Sequence, residues 1–283
     1  MVIIYFIELI VVGILAGFAG SLSGLGGGVV VIPLLTILFG VPIDYAAGAS
    51  LVSTIATSSG AASAYVKERL SNIRIGMSLE VATTLGAIGG SIIAAYIYSK
   101  NLDQLIFIIF GVVLLFLLYP TFKGFKEKRE RRMHKDWSTK FFQLEGNYYD
   151  RSTNKRVYYS GYRWWFGEGV MGIAGIISGL LGIGSGTLKV IGMDWGMKLP
   201  MKVTTSTSNF MIGVTAATSS AIYWALGYVQ PFIAAPIVIG ILIGSYYGSK
   251  MLQTMAGKRI RLIFLMLLLV AGLEMILRGF GVA

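Results

Sequence analysis

The chain has 283 residues, 55% of them hydrophobic and 13% charged, with a mean hydropathy of +0.73; soluble domains carry about 25% charged residues, so most of this exterior is expected to face lipid, as in a multi-pass cell-membrane protein. The 24 basic and 13 acidic residues leave +11, but twelve of the basic ones fall within residues 123–163 against five acids, so that one segment holds +7 and no nucleic-acid partner is implied. Cysteine is absent and His134 is the single histidine, which excludes disulfides and thiol chemistry, argues against zinc or copper, and leaves no cofactor to expect.

Apolar segments follow in chain order at about Val2 to Leu22, Val29 to Phe39, Ala46 to Val66, Ile75 to Tyr98 and Leu102 to Phe122, then at Trp164 to Leu181, Thr187 to Met197, Thr204 to Leu226, Phe232 to Leu252 and Ile260 to Leu277. A spanning helix needs roughly 20 mostly apolar residues. The second and seventh segments, at 1.5 Å per residue, reach only about 16 Å and cannot cross a hydrocarbon core alone. The first segment lacks a basic leader region and runs into a glycine motif that the chain repeats, so it reads as mature structure.

A constant offset of 158 residues aligns the two groups of segments without a gap. Gly17 falls on Gly175, Gly24, Gly26 and Gly28 on Gly182, Gly184 and Gly186, Pro42 on Pro200, Ser50 on Ser208, Thr57 on Thr215, Tyr65 on Tyr223, and Gly86 and Gly90 on Gly244 and Gly248. Such an ungapped register marks an internal repeat. The expected organisation is a first transmembrane repeat over 1–122, a basic loop over 123–163 and a second repeat over 164–283. Each repeat has the order long, short, long, long, long.

Loop charge predicts how the repeats are oriented, because short loops rich in Lys and Arg stay cytoplasmic. The loop after the third segment holds Lys67, Arg69 and Arg74, whereas its counterpart, Gly227 to Pro231, is uncharged; one loop later the pattern reverses, with Lys250, Lys258, Arg259 and Arg261 in the second half. Equivalent loops then lie on opposite sides, which makes the repeats inverted. The basic loop comes out cytoplasmic. Within it, Tyr148–Tyr149, the stretch Asp150 to Asn154 and Val157 to Tyr159 predict strand, turn and strand, a small β-hairpin. Its basic residues fit a topology anchor or an anionic-lipid contact.

The candidate chemistry lies at the two glycine clusters. Gly24, Gly26, Gly27 and Gly28, and then Gly182, Gly184, Ser185 and Gly186, each precede a short helix. Irregular backbone at membrane depth is tolerated where it is buried or lines a cavity, and a helix start offers N–H groups to an anion. Close helix packing is the alternative use of such glycines. Ser50, Ser53, Thr54 and Thr57 share one face of the next helix, and the run Thr204 to Asn209, including Thr207, Ser208 and Asn209, is polar throughout. Lys189 lies one turn inside the second short segment, where the first repeat has Val31; it either supplies positive potential to an anion or snorkels to an interface. Asp194, Lys198 and Lys202 are expected at an exposed end of that segment. Glu80 and Glu274 are candidate proton carriers within apolar segments, Glu274 near the end of the last one, and Glu8 lies within two turns of the first residue. The clusters lack the Lys-Ser/Thr pair of a phosphate loop, and no triad can form without an intramembrane histidine, so an enzyme is not expected.

The pattern Gly24-Leu25-Gly26-Gly27-Gly28, then Val29 to Pro33, Pro42 and the Ser50 helix, with its repeat Gly182 to Gly186, Pro200 and Thr207-Ser208, resembles the sulfite exporter TauE/SafE family of membrane permeases. The resemblance covers both hydrophobic halves. It implies transport of small sulfur-containing anions such as sulfite, sulfonate or thiosulfate, without catalysis. Ser185, Lys189 and Ile191 depart from the family pattern of a third glycine, an apolar residue and a proline. The expected partners are the anion and the lipid bilayer, with homo-oligomerisation open. The expected fold is all-α and polytopic, its two inverted repeats each holding a glycine break and a half-length helix. The competing reading is a membrane-anchored scaffold or sensor that acts through the cytoplasmic loop.

Overall fold

The computed structural model describes residues 2–23, 26–67, 70–116, 118–119, 135–150, 153–255 and 257–281. Gly24, Leu25, Arg69 and the basic stretch from Lys123 to His134 lie outside the described residues. Helix α1 (Val2–Ser23) is followed by short α2 (Gly28–Leu38), α3 (Ile43–Lys67), α4 (Ile73–Ser99) and α5 (Asp103–Phe116). A one-turn α6 (Trp137–Phe141) and strands β1 (Glu145–Asp150) and β2 (Lys155–Ser160) come next. Then follow α7 (Trp164–Leu181), α8 (Gly186–Ile191), which runs into a π turn at Gly192–Gly196, α9 (Met201–Ala225), α10 (Pro231–Thr254) and α11 (Gly257–Gly279). The chain is mostly helical, and Ile3–Leu22, Ile73–Ser99, Trp164–Leu181 and Pro231–Leu252 are long and apolar enough to cross a membrane.

Helices α3 and α9, 25 residues each, are long enough to cross but are rich in Ser and Thr. Their positions explain the composition. They pack on each other at the centre, with α10 against α3 and α4 against α9, so their hydroxyls face protein while the apolar faces of the outer helices point outward. Ile3, Leu15, Val81 and Leu85 are all well exposed on α1 and α4, as a lipid-facing belt requires.

Glycine sets how closely the outer helices approach. A Cβ at Gly90 would run into the Ile176 carbonyl oxygen, one at Gly86 into that of Gly172, and one at Gly175 into that of Thr83, which draws α4 onto α7. Adding 158 to the residues of the first half, and subtracting it from those of the second, turns these into the contacts of Gly248 with Phe18, Gly244 with Ile14 and Gly17 with Ile241, which hold α1 onto α10. Small residues at helix contacts are how membrane helices gain dispersion energy where no hydrophobic drive remains. In both pairs contacting positions advance together along the chain, so the helices are parallel. The equivalents α3 and α9 run antiparallel: Gly48 meets Tyr228, while further along α3 the Ser58 hydroxyl bonds the carbonyl of Phe210, earlier in α9.

The hairpin forms as the sequence predicts, pairing Glu145 with Ser160 through Asp150 with Lys155 in antiparallel register. It is fastened to the helical body. Lys202, at the start of α9, reaches Asp150 at 3.0 Å, Asn72 Nδ2 donates to the Tyr159 hydroxyl at 3.2 Å, and Arg74 bonds Gln143. This corrects one expectation. Lys202 and Asp194 are buried, not exposed; Lys202 is covered by the hairpin through Asp150, and Asp194 lies within the π turn. The entry to α6 is held by Asp136, which accepts from the Ser138 and Thr139 hydroxyls and from the backbone N–H groups of Thr139 and Arg163. Burial alone would raise its pKa, but these donors hold it well below the usual carboxylate range.

Candidate functional site

The two glycine breaks meet at the centre of the molecule. Gly26 and Gly184, repeat equivalents with φ of +76° and +71°, both lie against Thr54 and Ile212. Thr54 and Ile212 are themselves equivalents under the 158-residue offset, so the two breaks make matching contacts. At Gly184 a Cβ would meet the Thr54 methyl at 2.5 Å, and at Gly26 the Ile212 methyl at 2.9 Å. No side chain fits between break and helix, and the left-handed backbone favours glycine independently.

Around this junction the hydroxyls of α3 face the start of α2. A Cβ on Gly28 would overlap the Ser50 hydroxyl and approach the Thr54 hydroxyl to 2.8 Å. Ser50 donates to the Gly182 carbonyl at 2.6 Å, a bond that crosses between halves. Gly27 N–H donates to Thr57 at 3.1 Å. The Val30 N–H bonds back to the Gly27 carbonyl at 3.0 Å, and the start of α2 carries the partial positive charge of a helix N-terminus beside Thr54. Ser53 Oγ, Thr54 Oγ1 and Ser185 Oγ are buried and without a hydrogen-bond partner. Buried polar atoms are nearly always paired, so the hydroxyls of Thr54 and Ser185 at the breaks mark a place that can accept a polar ligand. Ser185 also takes φ +57°, a conformation costly for a residue with a Cβ.

The second half supplies other members. Ser208 donates to the Gly186 carbonyl at 3.3 Å, at the start of α8, and Asn209 Nδ2 donates to the Ser21 carbonyl at 2.9 Å. Thr207 points elsewhere. Its hydroxyl accepts the Asn72 N–H at 3.0 Å, next to the hairpin contact, and the structure does not bring it to the breaks. Lys189 is wholly buried and does not snorkel. Its ammonium lies 3.2 Å from Glu80 Oε2 on α4 and donates to Thr215 Oγ1, which in turn donates to Glu80 Oε1.

That triad joins residues that sequence reasoning weighed apart. The sequence sets Lys189 against an anion and Glu80 among candidate proton carriers, and across the 109 positions that separate them no periodic signal pairs the two. Two isolated charges of opposite sign inside apolar segments were the available clue, since buried charges are paired. Among the described residues no cluster of His, Cys, Asp and Glu could hold a metal ion.

Comparison with known proteins gives this arrangement a family. The model of the family described as Sulfite exporter TauE/SafE matches residues 9–275. The chain is 29% identical over 281 residues to the "Probable membrane transporter protein YunE" of Bacillus subtilis (strain 168), covering 97% of this chain and 98% of that protein. It is 26% identical over 244 residues to the "Probable membrane transporter protein YdhB" of the same organism, covering 86% and 87%. The "Probable membrane transporter protein MJ0441" of Methanocaldococcus jannaschii is 27% identical over 285 residues, covering 95% and 94%. No solved structure matches. With a match that spans both glycine breaks and nearly every helix, the chain belongs to the sulfite exporter TauE/SafE family of membrane transporters.

Proposed function

We propose that this transporter moves small anions, sulfur-containing ones among them, by alternating access between two inverted repeats that meet at the glycine breaks. The observation that carries the reading is the unpartnered buried hydroxyl of Thr54, which faces Gly28 at the start of α2, together with that of Ser185 in the second break. Neutral donors and helix N–H groups can bind an anion without a fixed countercharge, so binding stays reversible. A purely structural role would leave those hydroxyls as uncompensated cost.

Three features support the inversion. The central equivalents α3 and α9 run antiparallel, the contacts of α4 with α7 repeat as those of α10 with α1, and the lysine- and arginine-bearing loops alternate between halves. The two ends of the central pair are closed by different contacts. Near the start of α3, Tyr98, Tyr223 and Tyr228 pack edge to face, with ring centroids 5.4 to 6.3 Å apart. Near the start of α9, Lys202–Asp150 and Asn72–Tyr159 do so. Opening one end while the other stays shut is the motion that alternating access requires. The hairpin end is the cytoplasmic one in this reading, since it joins the loop carrying Arg74 to the basic segment.

Uptake of radiolabelled sulfite, thiosulfate and a sulfonate into proteoliposomes is the direct test, with sulfate as comparison. Uptake of at least one, abolished by Gly28→Val, supports the reading; transport of none by well-folded protein overturns it. The inversion is tested separately. The chain has no native cysteine, so single cysteines replacing Asn72 and Gln230, repeat equivalents, can be labelled from one side only. Equal labelling of both with an impermeant reagent rules out inverted repeats.

A further inference from the structure

The Lys189–Glu80–Thr215 network has a neighbour whose charge nothing in it neutralises. Glu168, on α7, has one carboxylate oxygen, Oε2, that is buried and without a hydrogen-bond partner. The preceding residues of the two helices are close neighbours, since a Cβ on Gly167 would lie 3.3 Å from the Leu79 side chain, which sets Glu168 and Glu80 on adjoining turns of packed helices. Lys189 and Thr215 both address Glu80, so that pair is balanced and Glu168 is left over. Glu168 is half-buried within an apolar helix and has no paired cation there among the described residues, and ionisable groups so placed are functional candidates by default.

We propose that Glu168, set against the Lys189–Glu80 pair, is a proton-binding site through which this transporter couples substrate movement to a proton gradient. The step is a plain protonation. Carboxylate and proton become carboxylic acid, the cluster goes from one negative charge to none, and the proton leaves to water when the site opens on the other side. The placement suits coupling. Glu80 belongs to the first half and Glu168, Lys189 and Thr215 to the second, so the charge of the cluster acts across the boundary that alternating access must rearrange, and a cluster without net charge passes through the closed state at lower cost. The repeat-related places are Ile10, Val31, Val238 and Thr57, which makes the device specific to one half.

Other ionisable groups near α7 are accounted for. From the π turn comes Asp194, buried and engaged; Lys202 on α9 is tied to Asp150. On α4, Arg74 bonds Gln143 at one end and Lys100 lies at the other; α7 itself begins after Arg163, and α5 brings only Asp103, at its first residue. On α11, Glu274 lies 3.7 Å from Arg278.

The proton site is tested without any substrate. Infrared difference spectra of the purified protein, taken between about pH 5 and about pH 8, report carboxylic-acid protonation directly. The expected result is a carbonyl band that grows as the pH falls, disappears in Glu168→Gln, and persists in Asp194→Asn and Glu274→Gln. No band, or a band that survives Glu168→Gln, overturns the site. Coupling rests on the transport reading proposed above and is read with thiosulfate and a sulfonate, probes that stay ionised near neutrality. An inward pH gradient of about one unit should raise wild-type accumulation of a co-carried anion about tenfold, and Glu168→Gln should abolish that rise while still exchanging anion across the membrane. Unchanged gradient-driven accumulation in Glu168→Gln overturns coupling. If wild type moves neither probe, the transport reading fails and the infrared result still decides the proton site.

Discussion

In the first half Thr57 accepts the Gly27 N–H at 3.1 Å and donates to the Ser53 carbonyl at 2.9 Å, whereas its equivalent Thr215 bridges Lys189 and Glu80. The same threonine on the same scaffold thus stabilises a neutral backbone turn on one side and a buried ion pair on the other. Val31 and Val238 occupy the places that Lys189 and Glu80 hold in the related geometry. Helix contacts and glycine breaks obey the 158-residue offset in both halves, while the buried ion pair occurs in one of them. Backbone approach is common to both halves because any side chain there collides with a carbonyl. Polar chemistry was free to diverge.

The largest effect should come from breaking the ion pair on one side. Lys189→Met leaves Glu80 buried without its cation, and removing one partner of a buried pair destabilises by about 3 to 5 kcal/mol. Lys189→Met combined with Glu80→Leu removes both charges and should recover most of that loss, since a buried pair exchanged for apolar groups of similar volume is often close to neutral. Thermal unfolding in detergent measures both. A double variant no more stable than the single one would show that the charges do not compensate each other.

Equal effects in both halves are expected next, at the shared contacts. Gly90→Ala and Gly248→Ala each press a methyl group against a helix backbone, at Ile176 and Phe18, and overpacking of this kind costs about 1 to 3 kcal/mol. Because the contacts are equivalent, the two losses in melting temperature should agree. A silent Gly248→Ala beside a damaging Gly90→Ala would break the symmetry claimed for the outer helices.

Much of this architecture was legible in the sequence, for a physical reason. The constraints that set it are local or periodic: α2 at Gly28–Leu38 and the break before α8 at Gly182 to Ser185 fall where glycine clusters end apolar runs, and the hairpin turns where Asp150 to Asn154 interrupt tyrosine-rich strands. What was not legible depends on contacts between distant segments. Lys202 and Asp194 stand where the sequence predicts the exposed end of a short segment, yet both are buried, Lys202 against the hairpin's Asp150 and Asp194 within the π turn. Thr207 stands in the polar run of α9, but the run winds around the helix, so its hydroxyl faces Asn72. Glu168 carries no motif at all; its importance arises only when α7 lies against α4.

The paired threonines sharpen the comparison at smaller scale. Thr215→Val removes a hydrogen bond to a charged group, a loss of about 1.5 to 3 kcal/mol, while Thr57→Val removes neutral bonds to backbone, about 0.5 to 1.5 kcal/mol. Valine matches threonine in shape, so packing contributes little to the difference. Double-mutant cycles with Lys189→Met give the decisive reading: strong coupling for Thr215 and none for Thr57, which bonds Gly27 and Ser53. Equal losses for the two threonines would mean that the ion pair draws no support from its hydroxyl.

The smallest expected difference concerns the serines at the breaks. Ser50 donates across the boundary between halves to Gly182, at 2.6 Å, whereas Ser208 donates within its own half to Gly186, at 3.3 Å. The shorter bond is the stronger, and it ties together elements that must separate if the breaks move against each other. Ser50→Ala should therefore cost about 1 kcal/mol of stability and Ser208→Ala less. Anion binding supplies the sharper reading. A ligand specific to the folded state raises the melting temperature through RT ln(1 + [L]/Kd), so a thiosulfate titration of each variant separates lost stability from lost affinity. Ser50 faces Gly28 at the start of α2, where an anion would lie, and its loss should weaken thiosulfate binding about fivefold, the equivalent of about 1 kcal/mol. If Ser208→Ala weakens binding more than Ser50→Ala, the site is centred on α8 and the second half, with its buried lysine, carries the anion.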